Sequence, residues 1–333
     1  MRWRAMYEWA EFRHFRYLLS ILELQGFRAA AEKLHTAQPN LSVQAKQFQE
    51  NASIQLYEKL KNGRIKPTRT GEAFKPAAKY LLDALQEVME ALVAIEHDDL
   101  TVVRFGSSPL ADPGLFSDLC QLHKELLPSC QIHPERSDTN QLVDDGLSGV
   151  IDIAIVTRPF EDSNLIVEDL CRDRLVVCLR ADHPLAQKNA LKLDEIAGDL
   201  KIFYHPDRHP NAHLRLLELL GERGVRIAGY SRASHPLEMR SLIKEGYGFA
   251  LIREGMSLDS ELTTRPIVGV DWTADTALIY RSDRHPKTIP VVVRQLKRQL
   301  GKARSSIGGR LALPSAADAN HQPIQLELLS RDC

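Results

Sequence analysis

The sequence predicts an N-terminal all-α winged helix-turn-helix with a long linker helix, followed by a C-terminal α/β domain of two lobes. Three observations predict it. Short helical stretches precede a basic hairpin within residues 11–69. An apolar heptad then runs from Phe74 to Ile95, the spacing of a coiled-coil seam. Beyond Asp98-Asp99, strand-like and helix-like segments alternate, which is the pattern of layered α/β domains.

At 333 residues the chain is long enough for two or three domains with proper cores. Apolar residues make up 44% and charged residues 26%, as in a globular protein, and the formal net charge is −1. That near-neutral total hides an asymmetry. Residues 11–66 hold nine bases against five acids, whereas residues 67–100 hold three against seven. The five cysteines are scattered without a CxxC pair, so buried free thiols in a reducing cytoplasm are expected rather than a disulfide framework or zinc site. Charges run through the first thirty residues, which gives no signal-peptide core. No uncharged apolar run approaches the ~18–20 residues that span a bilayer. A cytoplasmic location without membrane contact is expected.

Residues 1–10 read as an extension. From Phe12, the residues Phe15, Leu18, Leu19 and Leu22 share one helical face, and Gly26 is expected to end that helix. A second helix is expected from about Arg28 to His35, with Ala30, Ala31 and Leu34 inward. A third starts near Gln38-Pro39, where proline loses no hydrogen bond. Leu41, Ala45 and Phe48 point inward at i, i+4 and i+7. Asn40, Ser42, Val43, Lys46 and Gln47 are left outward. Asn62-Gly63 then marks a turn between short extended pieces carrying Lys59, Lys61, Arg64 and Lys66. Phe74, Ala78, Leu81, Leu85, Val88, Leu92 and Ile95 form the heptad seam over the linker segment 70–98, with Pro76 in its opening turns. Such a seam wants a partner helix, supplied either by a second subunit or within the chain.

The α/β part is assigned to residues 99–303. Strands are expected at "TVVRFGSS", "CQIHPERS", "IDIAIVT", "DRLVVCLR", "LKIFYH", "VRIAGYS", "GFALI" and "TALIYRS". Helices are expected at Phe116–Leu127, at "DTNQLVDDGLSG", and near Asn211–Arg223, Pro236–Glu245 and Thr288–Leu300. Alternation of this kind implies parallel sheets with helices on both faces. The strands are too many for one compact sheet, so two lobes are expected. The tail 304–333 is small, polar and aperiodic, a composition that favours disorder.

A helix pair whose second member carries Gln, Asn and Ser at its front is the helix-turn-helix arrangement, and that front can reach base edges in the major groove. Gln38, Asn40 and Ser42 can hydrogen-bond bases, while Lys46, Lys61, Arg64 and Lys66 suit phosphates. Helix pattern alone leaves a plain proline-led surface equally open.

The stretch "FRAAAEKLHTAQPNLSVQAKQFQENASIQLYEKLKNGRIKPTRTGEAF" resembles the winged helix-turn-helix of the LysR-type transcriptional regulators. The resemblance rests on the alanines before Glu32 and Leu34, the Gln38-Pro39-x-Leu41-Ser42 run, "LYEKL", and Thr70-Gly71. "GVIDIAIV" and "EGYGFALI" extend it over about residues 11–303. Two positions depart from the usual pattern. Ala37 stands where Ser or Thr is usual, which would pass the N-cap role to Thr36. Val43 stands where Arg is common. The resemblance implies double-stranded DNA as partner, contacted at Thr36, Gln38, Pro39, Asn40, Ser42, Val43, Lys46, Lys61, Arg64 and Lys66. It implies dimerisation through Leu81, Leu85, Val88 and Leu92 on a two-fold symmetric operator, assembly to tetramers, DNA bending and contact with RNA polymerase. It also implies that the lobes are similar to periplasmic solute-binding proteins and hold a small-molecule effector between them.

For that effector, an organic anion suits "GSSP", with Ser107, Ser108 and Pro109 opening a helical segment, because free amides and a helix dipole favour negative charge. "SDTN" offers Thr139 and Asn140 in the same way, and Thr139 matches an effector-contacting position in relatives. Thr157 and Arg158, with Phe203 and Tyr204, follow strands at the end where open α/β sheets bind ligands. His205, His209 and His213 recur at i, i+4 and i+8, but Pro206 and Pro210 break that helix. The stretch reads as a polar hinge or effector loop, and neither metal nor cofactor is expected. Enzyme motifs such as GxGxxG, a P-loop or GxSxG are missing. A transporter's solute-binding protein and a DNA-binding factor without an effector remain as rival readings.

Overall fold

The chain is described from a computed structural model over residues 7–60, 63–96, 102–160 and 164–306. It divides into two compact units, Met1–Asp99 and Leu100–Cys333. The expected tail, residues 304–333, lies outside the described residues from 307 onward.

In the first unit, helix α1 spans Phe12–Leu24, α2 Phe27–Lys33 and α3 Gln38–Ala52. The first helix ends differently from the expectation. Gln25 takes the left-handed cap conformation (φ 50°), and Gly26 instead starts α2 in extended backbone. Leu18, Ile21, Leu22, Ala30, Ala31, Leu41, Ala45 and Phe48 form one core. The supposed extension contributes to it. Trp9 packs edge-on against Phe48 at 5.1 Å, and Phe48 lies 5.5 Å from Phe15 and 6.0 Å from Phe74. Strands β1 (Tyr57–Lys59) and β2 (Ile65–Pro67) pair antiparallel as the wing.

Helix α4 runs Arg69–Glu96 with Pro76 inside it. Gly71 is required at its start: a Cβ there would stand 1.9 Å from the Leu56 carbonyl oxygen. Beyond the turns that pack on α1, the seam is half-exposed. Leu81 and Leu85 are partly covered, while Val88 and Leu92 are 42% and 52% exposed.

The second unit holds β3 (Val102–Ser107), α5 (Pro113–Leu126), β4 (Gln131–Arg136), α6 (Thr139–Ser148) and β5 (Ile153–Thr157). Then follow β6 (Leu165–Arg180), α7 (Leu193–Ile196), β7 (Ile202–Tyr204), α8 (Pro210–Gly221), β8 (Ser231–Ala233) and α9 (Pro236–Lys244). The chain continues through β9 (Ala250–Arg253), β10 (Leu262–Arg265), β11 (Thr273–Arg281) and α10 (Ile289–Ser306). Two lobes are present, but their sheets are mixed rather than parallel. β4, β3 and β5 are parallel, and β11 then pairs antiparallel with both β5 and β6. The long β6 serves both lobes. Leu165–Arg174 pair with β11, and from Leu175 onward the strand pairs with β9 and β10. The chain crosses between the lobes in β6 and returns just before β11, where Trp272 still packs in the second lobe's core and Ala277 already packs in the first lobe's.

"VRIAGYS" is not a strand: residues 225–230 are irregular, and pairing starts only at Ser231 against β7. Gly106 packs so closely that an added Cβ would lie 2.8 Å from both Ala154 and Leu142. That closeness lets α6 pack against β3 and β5. Among the described residues, no helix is long and apolar enough to cross a membrane.

Candidate functional site

Two surfaces carry the residues singled out from sequence, one in each unit. On α3, Leu41, Ala45 and Phe48 are buried, so the opposite face must look outward. Gln38, Pro39 and Asn40 are exposed, Ser42 is half-covered, and Val43 is 60% exposed. Ala37 is the N-cap, in extended backbone, and no side chain caps the helix. The expected transfer of that role to Thr36 does not occur. Thr36 instead donates its backbone amide to Ala31 O at 3.0 Å and closes the turn between α2 and α3. Uncapped first-turn amides at an exposed helix start are free to face an anion such as a DNA phosphate.

Two glutamines of α3 have jobs inside the unit. Gln44 Oε1 lies 2.8 Å from His14 Nε2, tying α3 to α1, and Gln49 Oε1 accepts from the Leu56 amide at 2.7 Å. Lys46 lies 3.4 Å from Glu50. In the wing, the Leu60 amide donates to Arg64 O at 2.8 Å and Gly63 takes φ 76°, so a tight turn presents Arg64 and Lys66 outward. Lys61, expected among the phosphate contacts, lies outside the described residues.

In the second unit, Leu110, Thr139, Asn140, Thr157 and residues 208–212 surround a cleft between the lobes. The space left between them is about 10 Å³, room for roughly one water. Its floor is a chain of hydroxyls. Thr139 Oγ1 lies 3.2 Å from Ser108 Oγ and 3.1 Å from Thr157 Oγ1. Three of the nine expected effector residues, Thr139, Asn140 and Thr157, line this cleft, and Ser108 supports it from behind.

The others do not line it. "GSSP" does not start a helix: Ser107 ends β3, the Ser108 amide donates to Ile155 O, and α5 begins only at Pro113 under an Asp112 cap. Ser107, Ser108 and Pro109 therefore offer no free helix amides. Arg158 turns away to Asp169 at 3.0 Å and lies over the Phe160 ring. Phe203 and Tyr204 belong to the second lobe's core. Phe203 packs on Tyr230 at 5.3 Å, and burial pushes the Tyr204 phenol up to about 12. β7 is covered on both sides, and its apolar residues are spent on packing.

Leu110 was not among the expected effector contacts, whereas Arg208 to Ala212, at the entry to α8, fall within the stretch expected as a polar hinge or effector loop. The signal lay in "HPDRHPNAH", which places two prolines and two polar side chains at the start of α8. Its histidines are used locally. His209 Nε2 donates to Ser234 O at 2.9 Å, and His213 lies between Tyr204 O and Tyr230 Oη. His205 Nδ1 accepts from the Asp207 amide at 3.3 Å. Burial lowers the His209 imidazole below its ordinary value, which favours the neutral ring. Among the described residues, no three His, Cys, Asp or Glu side chains converge on a metal position.

The lobes are also bridged by charge. Arg253, at the end of β9 and 5% exposed, reaches Asp112 at 3.0 Å and Asp173 of β6 at 3.4 Å. Asp138 meets Arg208 across the cleft at 2.5 Å.

Comparison with known proteins matches each unit to a family domain. Residues 12–72 match the bacterial regulatory helix-turn-helix protein, lysR family, and residues 98–301 match the LysR substrate binding domain. The regulator CatR of Pseudomonas putida is 30% identical over 73% of this chain and 82% of its own length. BenM of Acinetobacter baylyi is 26% identical over 73% of this chain and 80% of its own. The structure of full-length BenM superposes with a TM-score of 0.55 at 23% identity, covering 89% of this chain and 98% of that one. That of CbnR with its target DNA gives 0.52 at 17% identity, covering 87% and 100%. With its reading head matched to one family domain and its lobed unit to the other, the chain belongs to the LysR family of transcriptional regulators.

Proposed function

We propose that this regulator reads a two-fold symmetric operator through the N-terminal end of α3 and answers to a small organic anion held between its lobes. The observation that carries the reading is the division of α3. Its apolar side is spent on the core, while Gln38, Asn40 and Ser42 face out at the end that a helix-turn-helix inserts into the major groove. Amide and hydroxyl side chains there discriminate bases. Lys46, Lys61, Arg64 and Lys66 supply phosphate contacts that set register and salt dependence. Val43 has no donor, so it offers a thymine methyl an apolar contact instead.

The exposed stripe of α4 pairs two subunits and so spaces two reading heads. Two such dimers make a tetramer that bends DNA and meets RNA polymerase in the cytoplasm. The effector, contacting Thr139, Asn140, Thr157 and the loop before α8, binds one lobe arrangement better than another, and that difference is all it can transmit. The family is one of regulators, and no catalytic role is assigned to any residue.

Equilibrium binding to operator and to random DNA tests the assignment. Gln38→Ala or Ser42→Ala should weaken operator binding by about 1–3 kcal/mol and leave random DNA unaffected. Arg64→Ala should weaken both and flatten the salt dependence. Equal losses on both DNAs from both classes of substitution would refute the division of labour.

A further inference from the structure

The cleft carries a carboxylate of its own. Asp138 is the N-cap of α6, where an aspartate ordinarily turns back to accept from the first-turn amides. This one makes no such bond. Its oxygens face the opposite lobe, at 2.5 Å and 3.5 Å from two nitrogens of Arg208 and 3.7 Å from His209 Nε2. The two-point guanidinium contact is the geometry with which arginine takes up a free carboxylate.

The surroundings are built for negative charge. α6 and α8 both open onto this cleft, and neither N-cap side chain caps its helix. Two helix N-termini therefore point unpartnered amides and positive dipole ends into one space. His209 supplies a separate sign of a ligand. Its Nε2 must donate, because its partner is the Ser234 carbonyl, so Nδ1 of the neutral ring is an acceptor. That acceptor has no partner, although the residue is only 3% exposed and lines the cleft. A buried acceptor without a donor is costly, so this nitrogen favours a donor brought in by water or a ligand.

We propose that Asp138 is a built-in stand-in for the effector's carboxylate. It occupies Arg208 while the cleft is empty and yields it when a carboxylate carrying a neighbouring O–H or N–H donor enters. The inference rests on the reading of this cleft as the effector site. An incoming anion cannot share the space with Asp138 at no cost, because like charges would face each other. Displacement is cheap, because the Arg208 side chain is 58% exposed and ion pairs with exposed members hold weakly. The effector thus exchanges one carboxylate for another at Arg208 and adds the bond that His209 lacks. That exchange frees Asp138 and removes one of the polar links between the lobes, leaving Arg253 with Asp112 and Asn211 with Asn140.

Chemical rescue tests this without the natural effector. Asp138→Ala is made in the full chain and melted in sodium formate, in sodium chloride of equal ionic strength, and in formamide. Formate alone should raise the melting temperature saturably, with a midpoint at least ten-fold below any effect on the parent chain. Arg208→Gln added to Asp138→Ala should abolish the response. Asp138→Asn, which keeps the side-chain shape and removes the charge, serves if the alanine variant does not fold. A response no larger than with chloride, or one that survives loss of Arg208, would overturn the proposal. Operator binding by the parent chain, measured in the same preparations, tests the regulatory reading separately. Its loss would count against that reading and not against the role of Asp138.

Discussion

His123 shows how far a single residue can depart from what its neighbours in sequence suggest. It sits in α5 at 0% exposure, edge-on to Phe105 at 5.1 Å, and neither ring nitrogen has a hydrogen-bond partner. Burial lowers its imidazole below the ordinary value. The unfolded chain therefore takes up a proton first as pH falls through about 6.5. Stability is full above that pH, drains as it falls toward the lower folded value, and then levels off. The slope has a ceiling of about 1.4 kcal/mol per pH unit for one such group. Denaturant melts between pH 7.5 and 5 should give a shallower decline for His123→Leu than for the parent, with His209 supplying a remaining part of the same sign. An unchanged slope would show that burial does not lower His123 below its unfolded value. Nothing in "DLCQLHKEL" distinguishes this histidine from an exposed one. The outward face of α3 is different: its i, i+4, i+7 anchors Leu41, Ala45 and Phe48 leave Gln38, Asn40 and Val43 exposed, as their spacing alone implies. Strand ends also place Thr139 and Thr157 on the cleft, but not Phe203 and Tyr204, because a strand end says nothing about which side chains the lobe's own core will take.

At the scale of elements, periodicity was informative wherever one face alone is buried. α1, α3, α4 and α6 emerge close to their expected limits for that reason. Longer or irregular pieces escaped it. β6 is sixteen residues long because its two halves serve different sheets, and only the more apolar half, "DRLVVCLR", read as a strand. "VRIAGYS" alternates convincingly, yet Gly224 and Gly229 flank a stretch that finds no pairing partner before Ser231. The seam of α4 is the element whose proposed role needs a partner outside the chain. Val88, Met89, Leu92 and Val93 are all exposed, an apolar stripe that water alone covers poorly. Leu85 lies at its half-covered edge, beside Leu82 and Met89. A charge there should separate subunits while sparing the winged helix, whose core lies elsewhere. Leu85→Asp is therefore expected to sediment as a smaller species with an unchanged helical spectrum. A variant that still sediments with the parent would remove α4 as the pairing surface.

Across the whole molecule, two cores of different character are carried on one chain, and they should fail separately. The first unit is held by aromatic and aliphatic packing around Phe48 and Leu18. The second depends in addition on a buried cation. Arg253 joins Asp112 at the start of α5 to Asp173 in β6, the strand that passes from lobe to lobe. Removing one member of a buried ion pair leaves the others uncompensated, at a cost of about 3–5 kcal/mol. Here the loss falls where the two lobes are joined, so it should loosen their closure as well as lower their stability. Calorimetry of Arg253→Ala should show the transition of the α/β unit moved down by several degrees. The winged-helix transition should stay in place. The conservative Arg253→Lys keeps the charge but not the two-carboxylate reach, so it should fall between the two. One common shift of both transitions would mean that the units melt as a single cooperative body, and that a signal from the cleft could reach the reading head through shared stability alone.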